Sequence, residues 1–224
     1  MTSVLSAGTT STLEVRPLGQ RHRGMPAAAW PYALLRVFDR GRPEAGFREA
    51  AHVENAAVGG DPTGGPREFL LWTDAERQTL LARVTTASVD GRHTRYHVCD
   101  AHGAVLATVD RSGGTAMPPR RARWLVTRAD GATLHAVKGT RFGWSVWWAL
   151  SPLWVLMFPV ALLGGDIVRM PRATTWRHGR TPELALKTAT STRHDYTVHP
   201  GTTDPRVHLA LATLHHSFPV WRDR

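Results

Sequence analysis

The sequence predicts a mainly β fold: an antiparallel meander of hairpins, interrupted by one long apolar segment and ended by one buried helix. Three observations carry it. A strand–turn–strand unit repeats; its aromatic openers Phe69, Tyr96 and Trp124 stand 27 and 28 residues apart; and the C-terminal stretch pairs a helix start with an apolar stripe.

The first unit runs from Glu68-Phe69-Leu70-Leu71-Trp72 through Asp74-Ala75-Glu76-Arg77 to Leu80-Leu81-Ala82-Arg83-Val84. The second runs from Arg95-Tyr96-His97-Val98 through Asp100-Ala101-His102-Gly103 to Val105–Val109, and the third from Arg123-Trp124-Leu125-Val126 through Arg128-Ala129-Asp130-Gly131 to Leu134–Val137. Asp and Gly suit the left-handed backbone that hairpin turns require. Tyr96 and Val98 alternate with His97 and Cys99, as on a half-buried strand. Hairpins in series make a meander, not a βαβ fold.

Upstream, Tyr32–Phe38 and Phe47–Val53 flank a turn at Gly41-Arg42-Pro43 and read as a further pair. Gly59 to Pro66 is a loop, since Gly and Pro punctuate both helices and strands. Downstream, Glu183–Lys187 and Asp195–Val198 are strand-like. The last element starts at Asp204, a good N-cap, with Pro205 at the first helical position. Val207, Ala210, Leu211 and Leu214 form its apolar stripe, and Leu209 and Ala212 widen it, so protein should surround this helix. Residues 1–29, rich in Ser, Thr, Gly and Ala, read as a disordered arm. Residues 30–216 then form one β-rich domain and 217–224 a tail.

The charge is +10, and almost all of it is arginine; Lys138 and Lys187 are the only lysines. That skew, with abundant Ala and Gly, suggests a GC-rich bacterial genome. A basic balance favours anionic partners, nucleic acid or a membrane surface, although a solvated arginine surface accounts for it equally. Cys99 is the only cysteine. It allows no internal disulfide and fits a reducing compartment. No cleavable signal peptide is visible at the start of the chain, which favours a cytoplasmic protein unless an internal segment meets the membrane.

Phe142 to Gly165 is such a segment, with 24 residues and no formal charge. About 20 apolar residues in helix span a bilayer core. Trp144, Trp147 and Trp148 cluster at one end as interfacial aromatics do; Trp154 and Phe158 lie deeper in the run. Pro152 and Pro159 favour a bent or re-entrant path. A single span would separate the hairpins from the final helix, which is impossible if that helix fills the same fold. The segment therefore dips into the membrane, spans it, or packs as core or oligomer contact.

Candidate chemistry is sparse. His93, His97 and Cys99 share a strand face, but no paired metal-ligand spacing occurs. His215 and His216 point to different helix faces and suit a C-terminal cap better than an ion. His194-Asp195 near Ser191 lacks a nucleophile elbow, and Gly59–Gly65 lacks a phosphate-loop lysine. Asp100 and Asp130 read as turn residues more readily than as a catalytic pair. No catalytic residue, metal or cofactor is expected. The run Arg120-Arg121-Ala122-Arg123-Trp124 has more content: forked guanidiniums hold phosphate well. Beside Trp124 the same arginines offer a weaker nucleic-acid reading, without any recognised motif.

The units YHVCDAHGAVLATV and WLVTRADGATLHAV, followed by DPRVHLALATLHH, resemble the tubby-like superfamily, which includes the LURP-one-related proteins and the phospholipid scramblases; this chain would be a bacterial, actinobacterial-type member. The resemblance implies a roughly twelve-stranded β-barrel threaded by the C-terminal helix. The calcium-binding acidic segment of scramblases has no counterpart here. The phosphoinositide-binding residues of tubby domains cannot be matched position by position, so only anionic-lipid binding carries over. The expected function is a non-enzymatic, membrane-associated module on the cytoplasmic side of the cell membrane. Arg120, Arg121, Arg123, Arg141, Arg169, Arg172 and Arg177 would contact phospholipid headgroups, and Trp144, Trp147, Trp148, Trp154 and Phe158 would insert. The alternative is a soluble interaction or structural protein, a homo-oligomer joined through the apolar run.

Overall fold

A sheet with one apolar face must bury that face, and closing the sheet on itself also removes its edges. The computed structural model describes residues 10–18, 32–56, 66–113, 121–138, 145, 149, 174–189 and 194–218, and within them the chain takes this solution. The strands are β1 (Ser11–Leu18), β2 (Tyr32–Asp39), β3 (Phe47–Asn55), β4 (Glu68–Trp72), β5 (Leu80–Asp90), β6 (His93–Cys99), β7 (Val105–Ser112), β8 (Arg123–Arg128), β9 (Thr133–Val137), β10 (Thr175–His178), β11 (Thr181–Ala189) and β12 (His194–Val198). Each pairs antiparallel with its sequence neighbours, and β1 pairs with β12 to close a twelve-stranded barrel.

Side-chain alternation divides the two faces. On β7, Ala107 and Val109 are fully buried while Leu106, Thr108 and Asp110 are not. On β8, Trp124 and Val126 point in, and Arg123 and Leu125 point out. The exterior carries Arg83, Arg95, His97, Thr108, Thr127 and His135. That is the reverse of a lipid-spanning barrel, which is apolar outside and polar within.

A barrel this wide needs a filling, because side chains alone fill the interior of barrels of about eight strands. The helix α1 (Pro205–His216) supplies it. Leu209, Ala210, Leu211, Ala212 and Leu214 are wholly buried, and Val207 nearly so. Each leucine contributes roughly 1.5–3 kcal/mol by leaving water. The Asp204 side chain accepts the Arg206 backbone N–H at 2.8 Å, capping the helix start as expected.

The two barrel ends differ. At one, tight turns join β6 to β7 and β8 to β9. Gly103 and Gly131, 28 residues apart, both have positive φ (86° and 81°), which favours glycine. At the other end, an open rim, long connections leave the strands: residues 113–122 between β7 and β8, and 138–174 between β9 and β10. Helix α1 enters from the tight-turn end and finishes at this rim. Lys138 N donates to Ala122 O at 3.0 Å and Leu186 N to Thr174 O at 2.8 Å, so both ends of the 138–174 connection belong to the same barrel. Phe142–Gly165 itself lies outside the described residues apart from Ser145 and Ala149. Among the described residues no helix is long and apolar enough to cross a membrane.

Two expectations are corrected, and one strand is added. Residues 1–29 are not wholly a disordered arm: Ser11–Leu18 is β1, paired on both sides. Its Leu13 and Val15 are fully buried and alternate with Thr12, while Glu14 is buried with Arg36 Nη1 3.8 Å from its carboxylate. The strand β10 was not anticipated, because only Trp176 of its four residues is apolar and buried. Residues 217–224 are not simply a tail: Ser217 is the buried C-cap of α1, and Phe218 packs against the core.

Removing residues 1–18 should therefore leave β2 and β12 as bare edges. The truncated protein is expected to aggregate or to lose cooperative thermal unfolding by circular dichroism. A monomer melting within a few degrees of the intact chain would contradict closure by β1.

Candidate anion-binding cleft

The strand periodicity brings arginines from three neighbouring strands, and from the residues just before the last of them, to the open rim. Arg95 is the third residue of β6, Arg111 the last but one of β7, Arg121 lies two residues before β8, and Arg123 begins it. With His93, His135, Asp90 and Asp110 they line a cleft of about 810 Å³ that reaches from the outer wall over the rim to Trp124. Arg95 binds both oxygens of Asp110, Nε to Oδ1 at 2.7 Å and Nη2 to Oδ2 at 3.3 Å, which raises the arginine pKa. Four guanidiniums against two carboxylates, one of them already engaged, leave the lining with an excess of positive charge. On the outer face Leu125 lies opposite His135, and His135 opposite Arg177, so this charge extends onto β10.

The structure brings some predicted residues together and separates others. Arg121 is half-buried and Arg123 exposed, both in the cleft, and Arg177 is exposed beside it. Arg120, Arg141, Arg169, Arg172, Trp144, Trp147, Trp148, Trp154 and Phe158 lie outside the described residues. Trp124 is only 4% exposed and faces the interior, opposite to Arg123, so it offers no stacking platform for a base. His93, His97 and Cys99 do share the outer face of β6, but among the described residues no group of three or more His, Cys, Asp or Glu could hold a metal ion. Burial pushes the Cys99 thiol pKa up, away from a reactive thiolate.

Asp100 and Asp130 brace turns. Asp100 Oδ1 accepts the His102 and Ala104 amides, both at 2.9 Å, and Asp130 Oδ1 accepts the Ala132 amide at 3.0 Å. The Arg128 guanidinium and that amide hold the Asp130 carboxyl below the usual carboxylate range. A general acid needs the opposite shift.

Sequence reasoning missed an interior layer beneath the cleft. Arg111 occupies an inward position of β7, and its guanidinium carbon lies 3.9 Å from the Phe218 ring centroid and 5.6 Å from that of Trp124. The Arg67 guanidinium carbon lies 4.1 Å from the same Phe218 centroid, and Arg67 Nη1 donates to Ser217 O at 2.9 Å. The alternation Ala107, Val109, Arg111 was the available signal for Arg111. Nothing local marked Phe218. Nearby, the Tyr196 hydroxyl is hydrogen-bonded to His215 Nδ1 at 2.9 Å, and the His216 ring lies 4.4 Å from that of His194.

At the tight-turn end, Glu183 is buried with His208 Nε2 3.6 Å from Oε2, an ion-pair rather than a hydrogen-bond distance. The Thr203 hydroxyl donates to the same carboxylate. Gly201 passes so close that a Cβ there would lie 2.9 Å from Glu183 Cδ. The His208 imidazole, with the Thr203 hydroxyl, lowers the Glu183 pKa in spite of its burial.

These groups set the acid response. Burial, helped by His194, lowers the His216 pKa to about 3. The unfolded chain binds that proton near 6.5, the ordinary value of a free imidazole, whereas the folded chain does not until about 3. Stability should fall as pH drops through this window, by up to about 1.4 kcal/mol per pH unit from this group. Glu183 adds a loss of the same sign at lower pH, as it protonates through its depressed pKa. Urea unfolding between pH 7 and 4 should show a shallower acid slope in His216→Phe than in the parent; equal slopes would contradict the assignment.

Comparison of the chain with protein-family models, curated proteins and solved structures finds no match.

Proposed function

We propose that this chain is a non-enzymatic, tubby-like binding module that contacts anionic phospholipid headgroups at the cytoplasmic face of the cell membrane. The observation that carries the reading is that the cationic cleft and both ends of the 138–174 connection share one rim. A bilayer facing that rim would meet Arg121 and Arg123 while Phe142–Gly165 dips in and returns. The twelve strands and the threaded C-terminal helix support the tubby-like resemblance, since that is the architecture it implies.

The two forces respond differently to salt. Apolar insertion is nearly independent of it, whereas each surface arginine contributes roughly 1 kcal/mol that screening removes. Intact protein should sediment with phosphatidylserine-containing vesicles and stay bound at high salt. Protein lacking Phe142–Gly165 should bind weakly and be released by salt. Arg121→Gln with Arg123→Gln and Arg177→Gln should lower the preference for anionic over neutral vesicles about tenfold or more. Intact protein that stays soluble at low salt and runs as a discrete dimer would overturn the reading, and would make the apolar run an oligomer interface.

A further inference from the structure

We infer that Phe218, the second residue past α1, is a positioning residue for Arg111 and thereby part of the anion site; this rests on the anion-binding reading of the cleft. Arg111 lies in an inward row, opposite Thr94 on one side and Trp124 on the other. The inward residues below it on β7 are Ala107 and Val109, fully buried. A half-buried guanidinium there loses part of its hydration. Its carbon stacks 3.9 Å from the Phe218 centroid, within cation–π range. At the same time Arg111 lines the cleft with Arg121 and Arg123.

The ring that holds it is itself held. Phe218 meets Trp124 edge-on at 5.4 Å and Tyr96 at 6.5 Å. The preceding residue is fixed twice: the Ser217 hydroxyl donates to Leu214 O at 2.7 Å, and Ser217 O accepts from Arg67 at 2.9 Å. Seating of the helix end thus fixes the ring, the ring fixes the guanidinium, and the guanidinium forms the inner wall of the cleft. The final turn of a helix buried for stability thereby orients a binding cation.

The test uses the full chain and vesicles of phosphatidylcholine with and without phosphatidylserine. Phe218→Leu and Arg111→Gln should each weaken binding to the anionic vesicles roughly fivefold, the size of a partly desolvated cation–π contact. The double variant should be no worse than either single one, since both act through one guanidinium. Phe218→Tyr, which keeps the ring, should retain wild-type binding and salt dependence. A lowered melting temperature in Phe218→Leu with unchanged binding, or fully additive losses, would overturn the inference while leaving the lipid-binding reading intact. Wild-type protein that ignores phosphatidylserine would overturn both. The Arg111 Nε–H proton resonance gives a lipid-free readout: it should lose the Phe218 part of its ring-current shift in Phe218→Leu and keep it in Phe218→Tyr, and an unmoved resonance in Phe218→Leu would sink the proposed contact.

Discussion

The burial of the C-terminal helix inside a closed barrel governs the rest of this molecule. Nine of the twelve residues of α1 are buried. Such a helix has no solvated face to spare, so it requires a wall on every side. Twelve strands provide that wall, and closure of β1 onto β12 provides it without an exposed edge. Barrel and helix each solve the other's problem: the barrel is too wide to fill with its own side chains, and the helix is too apolar to stand outside.

That mutual burial also produces the asymmetry on which the functional reading depends. The helix runs through the barrel in one direction, from the tight turns to the open rim. Its N-terminal end is tied by Asp204 and by the buried Glu183–His208 pair. The C-terminal end emerges among Trp124, Trp176, His215 and Phe218, whose rings meet at 5.2–6.1 Å. Above this aromatic layer the wall becomes cationic. One end therefore carries the tight turns from β6 to β7 and from β8 to β9, and the other the long connections and the arginines.

The parts legible in the sequence were those encoded locally. Asp and Gly at fixed offsets marked the hairpins, and Asp204-Pro205 marked the helix start to the residue. The cluster at Arg121 and Arg123 was legible as a run of charge. The missed parts depend on distant contacts. β1 places Leu13 and Val15 in the core from a Ser/Thr-rich setting, and its partners on β12, Asp195 and Tyr196, lie some 180 residues away. Phe218 has no local pattern, since its partners Arg67, Tyr96, Arg111 and Trp124 come from elsewhere in the chain. Trp124 stands among arginines that suggest a surface, whereas strand alternation with Val126 turns it inward.

The central claim is that α1 and the barrel form one cooperative unit, and native-state hydrogen exchange tests it most directly. Amides of residues 209–214 should exchange only through global unfolding, with the same free energy and denaturant dependence as the β6–β8 amides. If those helix amides exchange through a separate opening of lower free energy while the strands stay protected, the helix is an appendage rather than the core of the barrel, and the account fails.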